Sequence, residues 1–310
     1  MTAFKWLTTL VFAFAALATN IVPTLQAETT CPGNVASLRF RLINGSRIIV
    51  PVVINHTGPY DFMLDTGAQI TVVDPSMAEE LDLKIPGAAR FAGVGFHTST
   101  SIGRINILAV GSKSVTDNLV VVQDLAGFKT VGLNIRGILG GNFIGKFDVF
   151  IDYAHSNLCL DDTKQMQAQI KGEHIALADL PPADGPGPYN MPLVIAVKVL
   201  RVGMRPLLLK IDSGSNVMFV FDPDNCLDLG LFKGPSMHGK SADGVQRGYF
   251  ALPPQDLKIG TRTLQQIPLV RLANSGKDVP AGEVDGLLPA NLFRSMFISY
   301  ADRYVVLEPR

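Results

Sequence analysis

The tripeptide Asp65-Thr66-Gly67 recurs as Asp212-Ser213-Gly214, 147 residues further on. Each copy follows an apolar run, Phe62-Met63-Leu64 or Leu207-Leu208-Leu209-Lys210-Ile211. Each precedes another, Ile70-Thr71-Val72-Val73 or Val217-Met218-Phe219-Val220. A second landmark repeats at the same offset: Ile151-Asp152-Tyr153-Ala154 and Ile298-Ser299-Tyr300-Ala301. Closing strands follow both, Asn157-Leu158-Cys159-Leu160 and Tyr304-Val305-Val306-Leu307. Upstream, Pro51-Val52-Val53-Ile54 resembles Pro192-Leu193-Val194-Ile195. A single Asp-[Ser/Thr]-Gly arises easily by chance, because glycine alone is about 7% of residues. Two with matched flanks and a second landmark in register do not. The chain therefore reads as a duplicated domain. A carboxylate on a tight turn between buried strands is costly to leave unpaired, so the two aspartates are expected to meet.

The rest of the pattern is that of strands. Ser37 to Ile43, Arg47 to Asn55 and Tyr60 to Leu64 are short Val-, Ile- and Phe-rich runs punctuated by Gly, Asn and Pro. Phe91 to Val122 alternates, with Gly93, Gly95, Gly103 and Gly111 read as turns. Pro75 to Leu83 is the clearest short helix, opened by its proline. Asp179 to Pro188, dense in Pro and Gly, reads as a linker. This gives a first lobe over 35–163, a linker over 164–189 and a second lobe over 190–310.

The first 27 residues read as a secretory signal peptide, with Lys5, an apolar stretch from Trp6 to Ala18 and cleavage after Ala27. That stretch is shorter than the roughly 20 residues a spanning helix needs. A secreted or periplasmic protein, free of the membrane after cleavage, is expected. Lysines and arginines number 27 and so do acidic residues, with no basic run, so nucleic acid is an unpromising partner. Of Cys31, Cys159 and Cys226, two can form one bridge and one is left over, and the sequence does not choose the pair. The five histidines are scattered and no zinc motif occurs, so no metal is expected.

The paired Asp motifs resemble those of the aspartic peptidases, and more narrowly the retropepsin-like domains. Ile138-Leu139-Gly140 resembles the family's second signature, with its Gly 75 residues after Asp65. Leu287-Leu288-Pro289 stands in the same place, with its Pro 77 residues after Asp212. The resemblance covers roughly 35–161 and 190–309. It implies an all-β, bilobal acid-protease-like fold: two pseudo-two-fold-related β-barrel lobes with a cleft between them. As in pepsin-like enzymes, one chain holds both halves, so a monomer is implied. The implied activity is that of an aspartic endopeptidase on peptides or unfolded proteins, with no cofactor. Asp65 and Asp212 would be the catalytic pair, sharing a proton and activating a water. Gly67 and Gly214 would let the loops approach, and Thr66 and Ser213 would hydrogen-bond across. Gly93, Gly95 and Phe96 are candidates for a hairpin flap over substrate, and Ala242 to Tyr249 occupies the matching region of the second half.

Two departures from symmetry stand out. Ser215 follows Gly214 where Ala68 follows Gly67. A Ser215 hydroxyl donating to Asp212 would favour its charged form and leave the proton on Asp65. Pro289 replaces the expected Gly and is expected to shift the Asp212 loop. These departures also allow a second reading, a non-catalytic bilobal peptide-binding relative.

Overall fold

The computed structural model describes residues 31–93, 96–129, 132–180, 192–200, 205–221, 236–240, 246–272 and 284–310. The first 27 residues, read above as a signal peptide, together with Cys226, Gly95 and 181–189, lie outside them.

The described residues form three sheets. The first runs, in spatial order, through Arg41–Ile43, Arg47–Ile54, Thr57–Leu64, Gly137–Leu139, Thr71–Val73, Lys113–Val122, Phe96–Val110 and Gly87–Gly93. Val53 and Ile54 also pair with Ala109 and Leu108, which closes six of these strands into a barrel. The second sheet repeats that order with Val194–Val199, Leu207–Asp212, Gly286–Pro289, Met218–Val220, Arg262–Leu272, Gln246–Ile259 and Ser236–Lys240. Lys198 and Val199 pair with Lys258 and Leu257 to close it. In each barrel the Asp-bearing strand lies parallel to the strand of the second signature, Leu64 beside Leu139 and Ile211 beside Leu288. Alternation explains the closure: Phe62 and Leu64, like Leu207, Leu209 and Ile211, turn inward and are fully buried.

The third sheet belongs to both halves. Its order is Ser37–Arg39, Asn157–Asp161, Asp148–Asp152, Phe293–Ser299, Tyr304–Pro309 and Ile175–Ala176. The two middle strands are antiparallel, with Val149 opposite Ile298, Phe150 opposite Phe297 and Ile151 opposite Met296. Phe150 and Phe297 are repeat-related, so the pseudo-two-fold axis passes between them. The linker region contributes Ile175–Ala176 to the edge of this sheet, pairing with Val305 and Tyr304.

Cys31 and Cys159 form the bridge, among Met166, Phe297 and Tyr304. The bond fastens the start of the described chain to the shared sheet. The expected helix runs over Pro75–Glu80, capped by Asp74, whose carboxylate accepts from the Met77 N–H at 2.7 Å. Gly103 departs from expectation: it lies inside the 15-residue strand Phe96–Val110, and the turn falls at Gly111, with φ of 58°.

Candidate active site

The Asp loops sit where the strands Thr57–Leu64 and Leu207–Asp212 end, face to face across the lobe boundary. Their connection is reciprocal. The Thr66 N–H donates to Ser213 Oγ at 3.0 Å, and the Ser213 N–H donates to Thr66 Oγ1 at 3.0 Å. Each hydroxyl then donates onward into the opposite lobe, Thr66 to the Ile211 carbonyl at 2.9 Å and Ser213 to the Leu64 carbonyl at 2.8 Å. Both hydroxyl residues are buried. Four hydrogen bonds therefore fix one turn against the other, in a setting where each unmade bond would be expensive.

Glycine is required at both turns because of that closeness. A Cβ on Gly67 would lie 2.6 Å from the Asp212 carboxyl carbon, and one on Gly214 would lie 2.7 Å from Asp65 Oδ2. Within each turn the carboxylate is held by two backbone donors. Asp65 Oδ1 accepts from Gly67 at 2.8 Å and Ala68 at 3.1 Å. Asp212 Oδ1 accepts from Gly214 at 2.7 Å and Ser215 at 3.0 Å. The two carboxyls lie close enough to act on each other electrostatically.

Burial raises the Asp65 pKa, and the neighbouring charge of Asp212 raises it further. The Gly67 N–H and the Lys210 ammonium pull it down, but less. Asp65 is therefore a carboxyl that holds its proton well above the ordinary carboxylate range.

The expected role of Ser215 is corrected. Its hydroxyl donates to the Val217 carbonyl at 2.8 Å, and only its backbone N–H reaches Asp212. Ala68 makes the same backbone contact to Asp65, so the two turns do not differ in donors to their carboxylates. The expected effect of Pro289 is also corrected. Asp212 pairs with Pro289 without loss of either turn bond. Gly140 has no room for a side chain, since a Cβ there would lie 2.6 Å from the Ile70 carbonyl carbon. Pro289 fits because the backbone differs, with φ −65° and ψ 128° against −103° and −177° at Gly140. What changes is downstream: Gly140 leads into an α-helical turn, Gly141–Ile144, and Pro289 into a 3-10 turn, Ala290–Leu292.

Of the flap candidates, Gly93 pairs with Phe96 near the tip of a hairpin at the edge of the first sheet. Gly95 lies outside the described residues, as does the Phe96 side chain. In the second half Gln246 to Tyr249 pair with Lys240 to Met237 in a matching hairpin, and 242–245 lie outside the described residues.

Three residues near the pair were not singled out by sequence. Lys210 Nζ donates to the Gly67 carbonyl across the lobe boundary at 3.0 Å. In the sequence it looks like one polar break in an apolar strand. The period of two gives the signal: Lys210 shares a strand face with Asp212. Tyr153 and Tyr300, repeat-related members of the second landmark, carry hydroxyls that are buried without a partner among the described residues. Burial raises both phenol pKa values, with the charge of Asp212 next for Tyr153 and that of Asp65 next for Tyr300.

Two barrels with one Asp turn each, meeting on a pseudo-two-fold axis, make the bilobal fold that the resemblance to aspartic peptidases implied. Residues 50–143 match a family model described as aspartyl protease. That match spans the Asp65 turn and the second signature of the first lobe, so this part of the chain is similar to aspartyl proteases. No curated protein matches its sequence. Among solved structures, a retropepsin-like aspartic protease from Rickettsia conorii aligns at 19% identity over 41% of this chain and 90% of that one, with a TM-score of 0.30. At that score the superposition adds nothing to the fold described above.

Proposed function

We propose that the protein is an exported aspartic endopeptidase, working as a monomer on extended peptides or unfolded proteins. The observation that carries this reading is the pair of facing turns of Asp65 and Asp212, held against each other by the reciprocal Thr66 and Ser213 bonds. Two carboxyls so close do not both ionise cheaply, and they titrate as a unit. Burial and the Asp212 charge favour the proton on Asp65. Ionised Asp212 then takes a proton from a water as that water attacks the peptide carbonyl carbon. Asp65 hydrogen-bonds the carbonyl oxygen and stabilises the tetrahedral intermediate, and no acyl-enzyme forms. Substrate backbone would pair with strand edges of the cleft, under the hairpin that includes Gly93 and Phe96. The Cys31–Cys159 bridge supports export, because disulfides persist in oxidising compartments.

The test is casein hydrolysis by the mature protein from acidic to neutral pH, beside Asp65→Asn and Asp212→Asn. Pepstatin-sensitive cleavage absent from both variants supports the proposal. No cleavage at any pH, with peptide binding unchanged by either substitution, would replace it with the non-catalytic reading.

A further inference from the structure

A pocket of about 230 Å³ opens beside the Asp65 turn. Its wall includes Thr66, Gly67 and Gln69 from that turn, Lys146 from just beyond the Gly141–Ile144 helix, and Lys210 and Tyr300 from the second half. Gly67 is the residue that lies against the Asp212 carboxyl, so the pocket shares a wall with the reaction centre.

Two cations line this wall, Lys146 and Lys210, and no carboxylate of a described residue does. At the equivalent place in the other lobe the described residues are apolar. The repeat counterpart of Lys210 is Met63, and it is sealed beneath Leu125, Phe128, Leu133 and Ile135. The duplication has thus kept an apolar position on one side of the pair and made a cationic, open one on the other. Lys210 is also anchored, since its bond to the Gly67 carbonyl fixes the ammonium at the pocket. A cation held in place by a carbonyl loses little freedom on meeting an anion.

We propose that this pocket is a subsite for the carboxylate of an acidic side chain, Asp or Glu, close to the scissile bond of the substrate. The inference rests on the peptidase reading for what binds, but it is tested by binding rather than turnover. A carboxylate reaching Lys210 and Lys146 makes charge-assisted bonds, whereas a carboxamide of the same shape does not. The site therefore discriminates by charge and not by size.

The experiment measures anisotropy of labelled octapeptides, acetylated and amidated at their ends, with Glu or Gln scanned through each central position. Wild type is compared with Lys210→Met, Lys146→Met, Lys210→Arg and Lys198→Met, the last an exposed lysine on the strand Val194–Val199. At one position wild type should bind the Glu peptide on the order of tenfold more tightly than the Gln peptide, the scale of a hydrogen bond to a charged group. Lys210→Met should cut the preference to within about twofold, Lys146→Met should reduce it, and Lys210→Arg and Lys198→Met should leave it. Equal binding of Glu and Gln peptides at every position would overturn the proposal. So would equal loss in Lys198→Met, which would mark a general charge effect. Preference only for a peptide with a free C-terminal carboxylate would make the pocket a chain-terminus site and would also overturn it. A charge preference without hydrolysis would sink the peptidase reading alone, and hydrolysis without a preference would sink the subsite alone.

Discussion

Thr66 and Ser213 each place a hydroxyl in the other's backbone, with the two N–H to hydroxyl distances both 3.0 Å. The relationship is symmetric although the residues differ, because the hydroxyl alone is needed and the extra methyl of Thr is tolerated on one side.

Removing one hydroxyl breaks two buried hydrogen bonds to the opposite lobe. Ser213→Ala takes the partner from the Thr66 N–H and a donor from the Leu64 carbonyl, and Thr66→Val does the same for the Ser213 N–H and the Ile211 carbonyl. Each variant should lose about 2–5 kcal/mol by urea unfolding. The double variant should lose less than the sum of the singles, since the four bonds form one network. Strict additivity would mean that the two hydroxyls do not act together.

Asp65 should make stability pH-dependent with a definite sign. Its pKa is pushed up from 3.8 to about 8. A raised carboxyl pKa contributes stability that is complete below the unfolded value and is lost as pH rises through the folded one. Asp65→Asn lacks that slope. The melting temperature of the variant relative to wild type should climb between about pH 4 and about pH 8, by on the order of 5 °C or more. A constant offset across that range would contradict the shift.

Lys210 draws the Asp65 pKa down by its charge. Lys210→Met, the residue of its repeat counterpart, should therefore move the alkaline limb of the activity profile to higher pH. The acidic limb should move the same way or stay. An alkaline limb displaced to lower pH would show that the ammonium acts otherwise than as a charge near Asp65.

Tyr153 and Tyr300 bury hydroxyls that have no partner among the described residues. Replacement by Phe removes the polar atom and keeps the ring. Tyr153→Phe should be neutral or stabilising, by up to about 1–3 kcal/mol, in thermal or urea melts. A marked loss would mean that the hydroxyl is satisfied in solution and holds the Asp loops.

The Cys31–Cys159 bridge spans 128 residues of chain. Cys31→Ser with Cys159→Ser should cost about 2–5 kcal/mol, chiefly by freeing the unfolded chain. Wild type in reductant should match the double variant, and unchanged melting in reductant would remove the bridge from the account of stability.

Sequence comparison of the halves succeeded where it was anchored and slipped where it was not. The strand Thr71–Val73 has its counterpart at Met218–Val220, at the expected offset. The pairing of Pro51–Ile54 with Pro192–Ile195 is displaced. Ile49 lies opposite Met63 and Val194 opposite Lys210, so Ile49 and Val194 are the counterparts, joined to the Asp strand by a longer hairpin in the second half. Apolar strands look alike under small shifts, and only the ladder fixes register. Pro289 misled for a related reason. Identity gave the side chain, whereas the fit depended on a backbone rotation that one residue does not reveal.

By itself the chain's order of residues determined the all-β class, the duplication, the two Asp turns and the glycines that let them meet. Those properties are local, because strand alternation and turn chemistry act over a few residues. Tertiary structure alone chose Cys159 for Cys31, built one sheet from both halves around Phe150 and Phe297, turned the Ser215 hydroxyl to Val217 and set Lys210 against Gly67. Each of these joins groups whose partner is selected by packing of the whole molecule, where competing partners are separated by geometry that short-range pattern does not carry.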